Sequence, residues 1–409
     1  MMKLLIALSF LSLPAFADCN PTDNSTCKLS CPGGGFSNVQ SSGSSTYGYA
    51  TGGVECNTFN VVTPNATLLG YEYRPIGLGT NRCIIWGIHG GGWTLGDARS
   101  GFGNDQSSGN PSTQPPTGVV QKSGCIAYMT AYTLATGTLA TAWPVQITDT
   151  YCFIFTGVAN GWDGNWNDIR LFGGSAGAHI AEMLKLTSPA TYTQSCNAAT
   201  SNAYTITSAA LLSTPQHLAG DINGTTAANS MYQNTCDTTC QVGGVGIAIT
   251  AINELLQCSN NATCEAADNA AIASPLKLIT NANAANAAIP VLYLGGQSYT
   301  GTPCCDGQSG DPVAGGDNLV IWRVNTAQML TAYAALSTPL FPAQWQGIEN
   351  PNFATCWSKH ESDFLWSNSS PCNGISNTNW GGVSLPTAID FLVNPFGMVL
   401  RGSYFQPVL

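Results

Sequence analysis

A chain of 409 residues with 44% hydrophobic side chains can bury a large core, as one big α/β domain or two smaller ones. Charged residues make up only 8%, against a usual ~25%, so Ser, Thr, Asn and Gln must carry solubility, with glycans wherever sequons are used. The formal charge of −10, with 12 Lys and Arg and no basic run, argues against nucleic acid or an anionic membrane as a partner.

Met1-Met2-Lys3, the apolar run Leu4 to Leu13 and Ala15-Phe16-Ala17 have the order of a secretory signal peptide. This predicts residues 1–17 as a removed leader, Asp18 as the mature start and a secreted protein. Loss of Lys3 would shift the formal charge from −10 to −11, one positive charge fewer. The leader is too short for the ~20 residues of a membrane span, and no later stretch reaches that length. Sixteen cysteines in a secreted chain read as disulfides, and with four histidines a Cys/His metal site has little support. Asn24, Asn65, Asn223, Asn261 and Asn368 open N-x-[ST] sequons, which belong in exposed loops.

Residues 18–56 hold Cys19, Cys27, Cys31 and Cys56 in a Gly/Ser/Asn/Thr-rich stretch that is too poor in apolar residues for a core. They read as a disulfide-tied extension on a main domain of residues 57–409. Regular structure is expected from near Phe59, with a strand over Thr67 to Tyr73. Cys83 to Ile88 and Cys125 to Tyr132 are continuous apolar runs, as in strands buried on both faces, and a Cys83–Cys125 bridge would join their starts. Residues 100–120 read as a surface loop. A helix over Ile147 to Val158 and a strand over Ile169 to Phe172 follow. Then come the strand Ile206 to Leu212 and an insertion over 213–275 with an amphipathic segment near Ile247 to Leu256, where a cap would sit. Ile289 to Leu294, Thr326 to Leu336, Phe341 to Ile348 and Thr387 to Leu392 complete an alternation of strands and helices, the pattern of a mostly parallel sheet. Local bridges are expected at Cys236–Cys240 or Cys258–Cys264, and at Cys356–Cys372.

The informative stretch is Gly173-Gly174-Ser175-Ala176-Gly177, a G-x-S-x-G pattern between a buried strand and a helix from Ala178 to Leu186. A sharp strand-to-helix turn strains the serine and holds its hydroxyl above the helix N-terminus. Gly173 and Gly177 are needed because a side chain at either would collide with the neighbouring backbone. His89-Gly90-Gly91-Gly92 also follows a buried strand. The N–H groups of Gly90 and Gly91, with that of Ala176, can form an oxyanion hole. For the base, His89 belongs to the glycine loop, His179 points away from the serine on the same helix, and His217 stands at the entry to the insertion as an ordinary loop residue. His360 fits the chain order Ser…Asp…His. Asp306, Asp311 and Asp317 compete for the acid. Asp317 is preferred because it immediately precedes a helix.

These blocks, with Tyr73-Arg74-Pro75, Trp93, Tyr132-Thr133-Leu134-Ala135, Trp143-Pro144, Ala273-Ser274-Pro275 and Asp317-Asn318-Leu319-Val320, resemble the α/β-hydrolase superfamily over residues 70–395. The likeness is to its feruloyl-esterase-like and hormone-sensitive-lipase-like carboxylesterases. It implies a parallel sheet flanked by helices, an oxyanion hole at Gly90, Gly91 and Ala176, and an Asp317 that orients the histidine. Gly295 to Gly316 is longer than the family's usual segment before the acid. The expected activity is hydrolysis of small-molecule or carbohydrate-linked esters through Ser175, Asp317 and His360, with no cofactor and no metal. A catalytically silent extracellular binding module and an amidase or formamidase are the alternatives.

Overall fold

Strands buried on both faces need apolar side chains at every position, and the central runs of this chain meet that demand. The computed structural model describes residues 54–98, 101–102, 119–120, 123–188, 192, 196, 204–212, 214–219, 230–231, 245–297, 322–337, 343–349 and 388–393. The expectations for the leader, the N-terminal extension, Cys236–Cys240, Cys356–Cys372 and three sequons (Asn24, Asn223 and Asn368) lie outside these residues.

The strands are β1 (Val54–Val62), β2 (Thr67–Pro75), β3 (Ile84–Ile88), β4 (Ile126–Thr130), β5 (Ile169–Gly174), β6 (Ile206–Leu212), β7 (Val291–Gln297) and β8 (Ala343–Glu349). They form one eight-stranded sheet in the order β1-β2-β4-β3-β5-β6-β7-β8. β2 pairs antiparallel with β1 and with β4, and all other neighbours are parallel. β1 starts at Val54, ahead of the expected Phe59. It is an edge strand with Glu55, Asn57 and Asn60 in its run, so apolar patterning marks it poorly, and its pairing with β2 defines it instead.

The helices are α1 (Val145–Asn160), α2 (Ala176–Leu186), α3 (Val245–Leu256), α4 (Asn261–Ala271), the single turn α5 (Ala284–Ala287), α6 (Trp322–Ala334) and α7 (Ala388–Val393). Successive side chains of each central strand alternate between two cores, as a period of two requires. Ile84, Trp86, Ile88, Leu171, Leu211 and Tyr293 pack with α1, α2 and α6. Ile85, Phe172, Leu212 and Leu292 pack on the other face with Phe391 and Leu392 of α7 and with Phe102 and Val119. This is the α/β-hydrolase fold that the sequence resemblance implies.

Three disulfides join described residues. Cys83–Cys125 ties the starts of the paired strands β3 and β4, where its Cα atoms stand 4.7 Å apart. Cys258–Cys264 closes the turn between α3 and α4. Cys152–Cys196, which links α1 to the chain beyond α2, was not foreseen. Its partners are far apart in sequence and neither opens a recognisable motif.

Candidate active site

The turn from β5 into α2 carries the nucleophile candidate. Ser175 has φ 53° and ψ −122°, a region that non-glycine residues rarely occupy and that costs on the order of 1–3 kcal/mol. Its N–H donates to Leu212 O of β6 at 2.8 Å, and its carbonyl accepts from His179 N at 3.0 Å. Every residue of α2 is buried, while Ser175 keeps partial exposure. Gly177 has no room for a side chain, because a Cβ there would stand 2.1 Å from Ile88 O and 2.6 Å from His89 O. This approach brings the start of α2 against the end of β3, so the serine turn and the glycine loop are neighbours.

The glycine loop is folded tightly on itself. Thr94 N and Leu95 N both donate to Gly91 O, at 3.2 and 3.0 Å. Gly91 has φ +100°, and a Cβ there would lie 2.3 Å from Leu95 O. Tyr132, just past β4, donates its hydroxyl to His89 O and Gly90 O, both at 3.2 Å. The N–H groups of Gly90, Gly91 and Ala176 have no hydrogen-bond partner among the described residues. Helix α3 of the insertion covers the loop. Its Ala251 lies 3.4 Å from where a Gly92 Cβ would be, and Leu255 O accepts from Trp143 N at 2.8 Å.

Three of the four histidines are placed, and each is engaged away from the serine. His89 is buried and stacked on Tyr132 at 4.1 Å, and its Nδ1–H donates to Gly90 O at 2.8 Å. Burial pushes its pKa down to about 4. His179 is fully buried, and its Nδ1 accepts from Trp93 Nε1 at 3.1 Å while its Nε2–H donates to Ala273 O at 2.7 Å. An indole can only donate and a carbonyl can only accept, which fixes this tautomer. Burial holds this ring neutral too, with a pKa of about 4. His217 is buried and donates Nδ1–H to Gln328 Oε1 of α6 at 3.2 Å.

Ala273 O is itself held in place. Asp268 accepts from Ala273 N at 3.1 Å, Ser274 N at 2.8 Å and Ser274 Oγ at 2.6 Å, and pairs with Lys277 Nζ at 2.8 Å. A chain of bonds thus runs from the glycine loop through Trp93 and His179 to the end of α4. Sequence reasoning missed Asp268, and it gave no role to Tyr132 or to the Trp93–His179 pair although Tyr132, Trp93 and His179 stood in blocks it singled out. The block Ala273-Ser274-Pro275 was the one signal near Asp268, and nothing local pairs residues 93 and 179.

His360, Asp306, Asp311 and Asp317 lie outside the described residues. The nearest described residues in the chain are Gln297 and Trp322 for the aspartates, and Glu349 and Ala388 for His360. Because β3, β5, β6, β7 and β8 are parallel, their C-terminal ends share one sheet edge. The glycine loop leaves β3 there and Ser175 leaves β5 there. The chain also leaves β7 at Gln297 and β8 at Glu349 on that edge, on the way to the aspartates and to His360 respectively. Among the described residues, no group of three His, Cys, Asp or Glu side chains could hold a metal ion, and no helix is long and apolar enough to cross a membrane.

The BD-FAE family model matches residues 73–300, more than half of the chain. The chain belongs to the BD-FAE family. These are esterase-type α/β-hydrolases of the feruloyl-esterase and hormone-sensitive-lipase kind. No curated protein matches this chain by sequence. Solved structures it is similar to include carboxyl esterase 2 of the mycorrhizal fungus Tuber melanosporum, with 16% identity over 77% of this chain and 81% of that one, at a TM-score of 0.45. An esterase of Pyrobaculum calidifontis has 14% identity over 73% and 76%, at a TM-score of 0.44. A thermostable esterase from Pseudomonas putida has 14% identity over 73% of each chain, at a TM-score of 0.42.

Proposed function

We propose that this member of the BD-FAE family is a secreted serine carboxylester hydrolase that works through an acyl-enzyme. Ser175 Oγ attacks the ester carbonyl carbon while His360 takes the serine proton. The N–H groups of Gly90, Gly91 and Ala176 hold the oxyanion of the tetrahedral intermediate. Collapse breaks the ester C–O bond, and His360 returns the proton to the departing alcohol. Water, deprotonated by His360, then attacks the acyl carbon, releasing the acid and restoring Ser175. Asp317 accepts the other ring N–H of His360 and stabilises the imidazolium, with Asp306 and Asp311 as the competing carboxylates. The scheme uses no cofactor and no metal.

The observation that carries the reading is the strained Ser175, with Gly177 pressed against the end of β3 where the glycine loop begins, and three N–H groups of the turn and loop that have no partner among the described residues. His89, His179 and His217 are committed to other partners, which supports His360 as the base. Disulfides among the described residues fit an oxidising compartment.

The decisive experiment pairs Ser175→Ala with a fluorophosphonate probe and p-nitrophenyl acetate. Loss of both labelling and turnover with unchanged near-UV circular dichroism is expected. Turnover near the wild-type level would remove Ser175 from the mechanism. Asp317→Asn should lower turnover steeply, on the order of 10⁴, by favouring the wrong histidine tautomer. A silent Asp317→Asn with a crippled Asp306→Asn or Asp311→Asn would move the acid. Matched ester and amide substrates, including feruloyl and acetylated-sugar esters, separate an esterase from an amidase and define the acyl group. N-terminal sequencing of the exported protein should begin at Asp18.

A further inference from the structure

We propose that Tyr132 is a positioning residue whose hydroxyl aims the two oxyanion donors of the glycine loop. The kinetic consequence rests on the esterase reading, but the geometry does not. Two consecutive carbonyls, His89 O and Gly90 O, lie at 3.2 Å from the single Tyr132 hydroxyl. In a trans peptide the C=O and the N–H of one unit point in opposite directions. The unit that carries His89 O also carries the Gly90 N–H, and the unit that carries Gly90 O also carries the Gly91 N–H. Holding both oxygens on one hydroxyl therefore turns both N–H groups to the opposite side, where neither has a partner among the described residues.

With φ +100° at Gly91 and +58° at Gly92, the loop visits backbone regions that glycine leaves and re-enters at little cost. A flip of the Gly90–Gly91 unit would replace an N–H by a carbonyl at the oxyanion position. Two contacts oppose that flip at Gly90 O: the Tyr132 hydroxyl and His89 Nδ1–H at 2.8 Å. The Tyr132 ring is 2% exposed and stacks on the His89 imidazole with an interplanar angle of 11°. The ring thus fixes where the hydroxyl sits, and the hydroxyl fixes which way the peptide units face. Tyr132 need not touch substrate for this.

Tyr132→Phe removes one oxygen and keeps the stack, so it isolates the aiming role. With p-nitrophenyl acetate, kcat should fall about tenfold to a hundredfold, less than the 10²–10³ lost when a donor itself is removed. KM should stay within about threefold, since the lost interaction acts in the transition state. Affinity for a trifluoromethyl ketone, whose hemiketal oxygen occupies the oxyanion position, should fall by the same factor as kcat/KM. A folded variant with unchanged kcat and ketone affinity overturns the proposal, as does one that loses thermal stability alone. Amide hydrogen exchange of the substrate-free protein gives a readout independent of turnover. Residues 89–96 should exchange faster in Tyr132→Phe while β4 keeps its protection. Unchanged exchange in the loop, or acceleration through the whole sheet, overturns the aiming role. Should the wild-type protein cleave no ester, the esterase reading falls by itself and the exchange measurement still decides the role of Tyr132.

Discussion

Helix α2 buries two polar clusters about one turn apart, and they are built on opposite electrostatic terms. At the end near Ser175, the His179 ring sits between Trp93 and Trp143, with ring centroids 5.2 and 5.0 Å away, and both its nitrogens are bonded. Burial keeps it neutral, so it bridges elements with little desolvation cost. Further along, Glu182 and Lys185 are ionisable groups on the same buried face. Lys185 Nζ donates to Tyr333 OH at 3.1 Å, Tyr333 OH lies 3.4 Å from Tyr293 OH, and Tyr293 OH donates to Glu182 Oε1. Burial raises the carboxyl pKa and lowers that of the amine, each opposed by the charge of the other. The neutral bridge joins α2 to the glycine loop and α4. The charged cluster joins α2 to β7 and α6. The contrast teaches that the part of α2 beside Ser175 is locked by a neutral ring, while the ionisable groups are confined deeper in the fold.

The largest effect should come from unbalancing the charged cluster. Lys185→Met alone leaves the Glu182 carboxyl uncompensated in the core and should cost about 3–5 kcal/mol in urea unfolding. Combining it with Glu182→Leu should recover most of that loss. A double variant as unstable as the sum of the singles would show that the two groups do not compensate each other.

Acid should act on the neutral bridge next. The folded-state pKa of His179, about 4, lies below the ordinary value of 6.5. Above pH 6.5 the ring is neutral in both states and its bonds contribute fully. As pH falls from 6.5 to 4 the unfolded chain gains a proton that the folded chain refuses, so stability is lost across that window. The loss amounts to about 3 kcal/mol, and His89 adds a similar amount for the same reason. His179→Gln should therefore be less sensitive to pH than the wild type. Its stability deficit, measured at pH 7, should shrink towards pH 4, and a constant deficit would contradict neutral burial.

Single hydroxyl and indole deletions sharpen the contrast further. Tyr293→Phe removes a bond to a carboxyl group and should cost about 2 kcal/mol with kcat unchanged. Trp93→Phe trims a buried ring and leaves His179 Nδ1 without its donor, so it too should cost about 2 kcal/mol, yet it should also lower kcat on a p-nitrophenyl ester because the glycine loop loses its tie to α2. If both variants changed stability and turnover alike, the division between the two clusters would fail.

Much of the framework was legible from residues alone. Cys83 to Ile88 and Cys125 to Tyr132 read as doubly buried strands because each run is apolar without alternation, Ile206 to Leu212 read as a further largely apolar run, and the strands found there are all central. The serine turn was legible because its geometry forces small residues at Gly173 and Gly177, a demand written into five consecutive positions. His89, His179 and His217 could be set aside by position, but not given their partners. Trp93 and His179, or Lys185 and Tyr333, are distant in sequence and meet only when the sheet order brings their elements together.

Sequence by itself determined the alternation of strands and helices, the strained serine turn and the glycine loop, because each depends on backbone sterics and local apolar periodicity. Tertiary structure alone decided which oxygen each buried donor meets. Tyr132 gains its meaning from two carbonyls on the neighbouring loop, Asp268 from the backbone it caps, and Cys152 from Cys196 beyond the next helix. A buried polar atom must find a partner wherever the fold supplies one, and no rule of spacing along the chain says where that will be.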